Sequence, residues 1–489
     1  MHKLMSGMNI ENGSSIKDLS KPLSITLIMV CIYMFLYIER PWESIRYLQG
    51  IPIERFFAIA TIIVAFLNGK LKVVSSPINR WVYGLLALHF LLAPFAFNPA
   101  YAVDQGIEYA KMVVLYMLML AVADDEKKLK LLIKVFVFSM MFYMLHSLWE
   151  YYNGRVAWAM GISRMVGVDA TSNDPNTFGG GVVLSLPFVY ALLRSEAQSA
   201  YRKLYYVYFA LAIICIVLTG SRSAFVAFVF LLILLGVAQT GRKRILFLFI
   251  ALFSIAIIWT IMPEEKQERI RTLWDNNAGP ENAHESAKGR LVGFEVSWKM
   301  FERKPFTGVG AGGKNFIGYR MENRIDDAGH ESPSQAHNLY GEVLAEFGVF
   351  GAILFVGLVL TIYHYVFKVR SLLKSEMSMN YFPYLVSQAI IASLLLLLLL
   401  GLSGHNFYRP LWLWIAAWAG ILVKITVKAS SFSKSLRSVR PLGLARGAVI
   451  PPLGQRSSSL DFQCPGLRQL KVPPRQGAGH TSGVGDNAQ

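Results

Sequence analysis

Two basic groups and a run of glycines share one polar stretch of this 489-residue chain. It reads Gly289-Arg290, then Trp298, then Pro305-Phe-Thr-Gly308-Val-Gly310, then His337-Asn338, and closes on Glu346-Phe-Gly348. A guanidinium is a planar fork of donors that fits phosphate oxygens two at a time. An imidazole, with an ordinary pKa of about 6.5, accepts a proton near neutral pH. Glycines such as Gly308 and Gly310 let a backbone approach a ligand closely. The stretch lies between long apolar runs, so this chemistry is held at a membrane edge and suits an anionic, lipid-linked substrate.

Other segments offer related groups. Thr219-Gly-Ser-Arg222 is a tight turn between two apolar runs and pins Arg222 at the membrane edge. A charge beside hydrocarbon costs about 3 kcal/mol unless it is paired or hydrated. An anionic headgroup would offset that cost, and snorkelling to the interface would also relieve it; both readings stand. The loop 150–176 holds Arg164-Met-Val-Gly167 and Asp174-Pro-Asn176, a turn into the next apolar run. Arg164, Asp174 and Asn176 either line a headgroup or sugar pocket or serve as caps. His337 opens an apolar run whose Gly341, Leu344 and Gly348 form a seam for close helix packing. It is a candidate general base, with Asn338 beside it as a substrate contact, or else a helix-start hydrogen bonder. His284, His330 and His405 fall on the same side without that anchored setting. Leu291, Phe294, Trp298 and Phe301 recur at helical spacing and predict an amphipathic helix over 287–303 on the membrane face. Gly289-Arg290 would stand at its start, where free N–H groups also favour an anion.

Apolar helices must position these residues. Hydrophobic residues make up 54% of the chain and charged ones 16%, with a mean hydropathy of +0.42. A soluble globule could not bury that much apolar surface. Runs fit to span a membrane occur at 22–39, 53–68, 81–97, 106–123, 131–149, 177–194, 203–219, 223–240, 245–262, 338–367, 384–403 and 407–427, twelve in all. The predicted fold is therefore all-α, a polytopic membrane bundle. Residues 1–21 form a polar N-terminus, 22–262 the first nine spans, 263–336 an outer helical subdomain and 337–428 the last three spans. The first apolar run lacks a small-residue cleavage site and is expected to be retained. Residues 429–489 are rich in Ser, Pro, Gly and Arg without apolar periodicity; disorder is expected, and a read-through or expression-derived origin fits equally.

The net charge of +17 invites a nucleic-acid partner. The Lys and Arg residues instead sit mostly in short loops and the tail, the pattern of topology signals. Loops after the even-numbered spans carry fourteen: Lys70, Lys72, Arg80, Lys127, Lys128, Lys130, Arg202, Lys203, Arg242, Lys243, Arg244, Lys368, Arg370 and Lys374. The short loops opposite carry seven, all arginine: Arg40, Arg46, Arg55, Arg155, Arg164, Arg222 and Arg409. That bias predicts both termini in the cytoplasm and 263–336 outside. The three cysteines, Cys31, Cys215 and Cys464, form no CxxC pair. The chain has no phosphate-binding P-loop, no dinucleotide glycine fingerprint, no HExxH, and in its outer loops no Asp-x-Asp, Asp326-Asp327 being a lone adjacent pair. Neither cofactor nor metal is expected. Arginines neutralising a pyrophosphate leaving group fit better.

In this order, Arg164-x-x-Gly167 with Asp174-Pro-Asn176, Thr219-Gly-Ser-Arg222, Gly289-Arg290 to Trp298, Pro305-x-x-Gly308-x-Gly310 and His337-Asn338 to Glu346-x-Gly348 resemble the bacterial O-antigen ligase family. Its relatives are the O-antigen polymerases and protein O-oligosaccharyltransferases. The resemblance covers residues 160–352 by motif and implies a GT-C-like glycosyltransferase of the bacterial inner membrane. It implies transfer of a glycan from undecaprenyl diphosphate, on the periplasmic side, to a hydroxyl of lipid A–core. The family's essential arginines fall on Arg222 and Arg290 and its essential histidine on His337. A lipid-linked oligosaccharide flippase is the non-enzymatic alternative.

Overall fold

The structure, a computed structural model, describes residues 23–159, 162–169, 173–275, 277–278, 281–325, 335–376 and 380–438. The tail beyond 438, the first 22 residues, Asp326-Asp327 and His330 lie outside the described residues. The chain divides into two compact units at Lys434, and the helical bundle belongs to the first, Met1–Lys434.

The elements are α1 (Ile25–Glu39), α2 (Pro41–Ser44), α3 (Ile53–Leu67), α4 (Asn79–Leu92), α5 (Pro99–Val122), α6 (Glu126–Tyr152), β1 (Val156–Ala159), β2 (Ile162–Met165), α7 (Pro175–Ser195), α8 (Arg202–Thr219), α9 (Arg222–Val237), α10 (Arg242–Ile261), α11 (Glu264–Arg271), α12 (Glu281–Arg303), α13 (Gly313–Glu322), α14 (Leu339–Glu376), α15 (Phe382–Gly401) and α16 (Leu411–Ser438). The protein is an all-α polytopic membrane protein. Each of the twelve predicted runs is a helix, and nine helical segments among the described residues, α1 being counted together with α2, have the length and apolarity to cross a membrane. The other three, α3, α4 and α9, have 14 to 16 residues. At a rise of 1.5 Å per residue they reach about 21–24 Å, short of a hydrocarbon core of about 30 Å.

α7 and α15 are the most deeply enclosed spans and pack on each other. α7 also meets α8 and α9, and α14 packs on α4, α12 and α15. Gly179 allows the α7–α9 contact, because a Cβ there would lie 2.9 Å from Ala224 Cβ. Trp418 is fully buried and stacks edge-on against Phe188. α10 is the opposite case. Ile245, Phe249, Leu252 and Phe253 are all exposed, as suits a helix turned toward lipid.

The loop 150–176 contains a short antiparallel hairpin, β1–β2, pairing Val156 with Met165 and Ala159 with Ile162. No alternating pattern in the sequence marks that pairing. Between α10 and α14 lie α11, α12 and α13, and α12, α13 and the start of α14 share a small apolar cluster that includes Val296, Met300, Phe316 and Ala345.

α14 is broken at Gly348, whose φ of 62° and ψ of −155° are not helical. Backbone groups freed by the break are met by the loop 304–312. Val309 N donates to Ala345 O at 2.8 Å, Gly310 N to Glu346 O at 3.2 Å, and Pro305 O accepts from Val349 N at 2.8 Å. A Cβ at Gly348 would sit 2.4 Å from Pro305 O, so only glycine lets the loop enter the break.

Candidate functional site

One end of the bundle gathers the hairpin, the α8–α9 turn, α11, α12, the start of α14 and the α15–α16 loop. The α8–α9 turn is its foundation. Gly220 caps α8 at φ 54°, and Ser221 caps α9 by accepting from Ala224 N. The carbonyls at the end of α8 carry the negative end of its dipole. Arg164 Nε donates to Thr219 O at 2.8 Å, and Lys266 Nζ donates to Leu218 O at 3.1 Å and to Ser163 O at 2.9 Å. The hairpin and α11 are thereby clamped on the turn that presents Arg222.

Arg222 is 5% exposed and donates to Thr272 Oγ1 at 2.7 Å. Arg164 also donates to Asn176 Oδ1 at 3.2 Å, which accepts from Ser221 Oγ at 2.8 Å. Asp174 caps α7 by accepting from Thr177 N at 2.8 Å. Its charge reaches much further: Asp174 favours the protonated forms of Arg164, Arg269, Arg290, Arg409, His337 and His405. These groups therefore all lie within reach of one carboxylate's charge.

Burial dominates the electrostatics. Desolvation and the neighbouring Arg222 and Arg290 lower Arg164 to about 10, despite Asp174. Arg269 falls to about 9 through burial and the repulsion of Arg164, Arg222 and Arg290. Burial also lowers Arg290 and Arg409. An arginine is seldom pressed so far, and the arrangement is a desolvated cationic pocket that an anion would stabilise.

His337 adopts φ 45°, a left-handed conformation uncommon outside glycine. Its ring centroid lies 5.4 Å from that of His405. Burial, then Arg290, then Arg320 push its pKa below the ordinary value, with Asp174 opposing. The ring is thus neutral at pH 7 and able to accept a proton. His405 is lowered further, to about 4, by burial and by His337 and Arg409.

The structure draws together Arg164, Asp174, Asn176, Arg222, Arg290 and His337. Asn338 has a different occupation: its Oδ1 accepts from Tyr340 N and Gly341 N, and its Nδ2 donates to Leu402 O at 3.1 Å. It caps α14 and ties down the α15–α16 loop. Gly308 and Gly310 serve close packing, since Cβ atoms there would meet Glu346 O at 2.3 Å and Ala96 Cβ at 2.2 Å. Arg290 is not at a helix start. α12 begins at Glu281, so Arg290 offers its own charge without the free N–H groups of a terminus. The cause is upstream: 281–286 continue the helix although they lack the apolar spacing that marks 287–303. Leu291, Phe294 and Trp298 are exposed on its outer face. The His284 side chain lies outside the described residues.

The sequence does not single out four further participants as site residues. Arg269 and Lys266 lie in α11, which reads as an ordinary charged surface helix. His405 and Arg409 stand in a loop with nothing to show that it folds inward. Buried acids pull it in. Glu342 Oε2 accepts from Phe407 N at 3.0 Å, and Glu346 Oε2 accepts from Tyr408 Oη at 2.5 Å and Gly312 N at 2.7 Å.

Residues 207–356 match the family model described as O-antigen ligase. That segment is similar to the O-antigen ligase family. The matched segment holds Arg222, Arg290 and His337 and leaves Arg164, Asp174, His405 and Arg409 to its flanks. It supports a glycosyltransferase-like enzyme of O-antigen processing, of the ligase or polymerase type, embedded in a membrane. No curated protein matches the chain.

Proposed function

We propose that this protein transfers a glycan from undecaprenyl diphosphate to a hydroxyl of lipid A–core, on the periplasmic face of the inner membrane. The observation that carries the reading is the ring of arginines, Arg164, Arg222 and Arg269 buried and Arg290 and Arg409 half-buried, beside neutral His337. In this reading Arg222 and Arg290 bind the diphosphate. His337 takes the proton of the acceptor hydroxyl as its oxygen bonds to the anomeric carbon. The bond from that carbon to the diphosphate oxygen breaks, and the leaving group's new charge falls on the arginines. One displacement inverts the anomeric carbon.

In this reading the arginines take the charge-neutralising role that a metal ion fills in other transferases. Among the described residues no three His, Cys, Asp or Glu side chains gather as metal ligands, so turnover should survive EDTA; loss restored by Mg²⁺ would refute this. A deletion strain tests the reaction itself. Uncapped lipopolysaccharide with accumulating lipid-linked polymer supports the ligase. Core bearing a single repeat would mean a polymerase, and unglycosylated protein with normal lipopolysaccharide a protein transferase.

A further inference from the structure

Helices α7, α9, α14 and α15 reach the arginine ring at one end and form a cleft toward the other. From Pro175 to Tyr190 the axis of α7 rises about 22 Å at 1.5 Å per residue. Near Tyr190 a cleft of about 210 Å³ opens between α7, α9, α14 and α15. Leu234, Val237, Leu385, Ile391 and Leu395 give it apolar walls, and Arg370 and Gln388 add polar groups. Arg370 Nε is buried and has no hydrogen-bond partner among the described residues. Its guanidinium lies 6.0 Å from the Tyr384 ring. Two more arginines bond to lining residues and have neutral partners. Arg194 donates to Tyr190 Oη at 2.9 Å and Asn380 Oδ1 at 3.0 Å. Arg244 donates to Val237 O at 3.1 Å and Gln239 O at 3.0 Å.

A buried guanidinium N–H without an acceptor is costly, and an acceptor from outside removes the cost. The walls offer that acceptor only if it arrives with hydrocarbon attached. Basic groups at a membrane surface also draw anionic lipids. We propose that the cleft binds one anionic phospholipid of the leaflet opposite the arginine ring, its phosphate on Arg370 and an acyl chain against Leu234, Leu385 and Leu395. The site is separate from the glycan-transfer reaction and does not depend on it. A diphosphate held at the arginine ring is too distant to supply the phosphate.

Native mass spectrometry of the full-length protein in detergent tests this, with phosphatidylglycerol or phosphatidylcholine titrated at equal concentration. One retained phosphatidylglycerol is expected, with phosphatidylcholine lost. Arg370→Gln should lower retention about tenfold or more, and so should Ala238→Trp, which fills the cleft and leaves the charge. Arg222→Ala should retain the lipid as wild type does. Should Arg370→Gln fail to fold, Ala238→Trp decides. Equal retention in both variants, or of both lipids, overturns the proposal. Displacement by undecaprenyl phosphate at tenfold lower concentration overturns it too, and assigns the cleft to a polyprenyl chain.

Discussion

The two ends of the bundle spend positive charge differently. At the end opposite the arginine ring, lysines are neutralised locally. Lys128 pairs with Asp124 and with Asp125, and Lys130 and Lys134 share Glu196 at 3.2 and 2.8 Å. At the ring end the cations are mostly arginines, with Arg164, Arg222 and Arg269 buried, and Arg164 and Lys266 donate to carbonyls and an amide. Asp174 is the acid whose field the ring shares, and it does not restore the arginines to their ordinary basicity. Lysines paired at a rim act as topology signals and local struts. Arginines kept desolvated and pressed together are prepared for an anion from outside.

The sharpest way to break that contrast is to remove one ring arginine. Arg222→Ala and Arg290→Ala should each lower turnover about 10²–10³-fold and weaken donor binding as well, so the combined loss in kcat/KM exceeds either. Arg→Lys should recover part of it, because the charge returns without the fork. Binding and turnover of purified protein check this, and wild-type values for both alanine variants would end the diphosphate role.

His337 should matter less for binding and more for rate. His337→Ala should cut turnover about 10²-fold or more while donor affinity stays near wild type. His337→Asn is the cleaner variant, since asparagine tolerates the left-handed backbone found there. The pH dependence has a definite sign. Burial, Arg290 and Arg320 lower the pKa, so the neutral, proton-accepting form persists below pH 6.5 and is lost as pH falls through the lowered value. A pH–rate profile with no acid limb, or full activity in His337→Asn, would leave a capping or packing role.

The long helices are legible in the sequence because apolar runs of span length have few other fates. Arg222 is legible because a charge flanked so closely by apolar runs has few places to go. His337 is legible from its place at a helix start, but not its partner His405, which arrives through tertiary folding. Arg269 is invisible for the same reason: nothing in Glu264–Arg271 distinguishes a buried side of that helix from a solvated one. Arg290 stands out for a partly mistaken reason, because its helix extends further back than its apolar stripe.

A medium effect is expected at the junction that holds the ring in place. Gly348→Ala puts a Cβ 2.4 Å from Pro305 O at a backbone conformation that L residues avoid. The variant should lose about 3 kcal/mol of stability and turn over more slowly, since the loop 304–312 and the start of α14 share that junction. Thermal unfolding in detergent checks it. An unchanged midpoint would mean that the break in α14 is not required.

The smallest effect tests the other half of the comparison. If the lysines opposite the ring act only through local pairing, losing one should cost little. Glu196 meets Lys134 at 2.8 Å and Lys130 at 3.2 Å and also accepts from Tyr205 Oη at 2.9 Å, so it keeps two partners when one lysine goes. The lysine side chains are 24% exposed, which screens the pair. Lys134→Ala should therefore cost about 1 kcal/mol or less and leave turnover within about twofold. Lys130→Ala should do the same. Removing both leaves Glu196 half-buried with only Tyr205 and should cost more than the two single losses added. A large loss of turnover in either single variant, at normal stability, would mean that this end also takes part in the reaction, and the contrast between the two ends would fail.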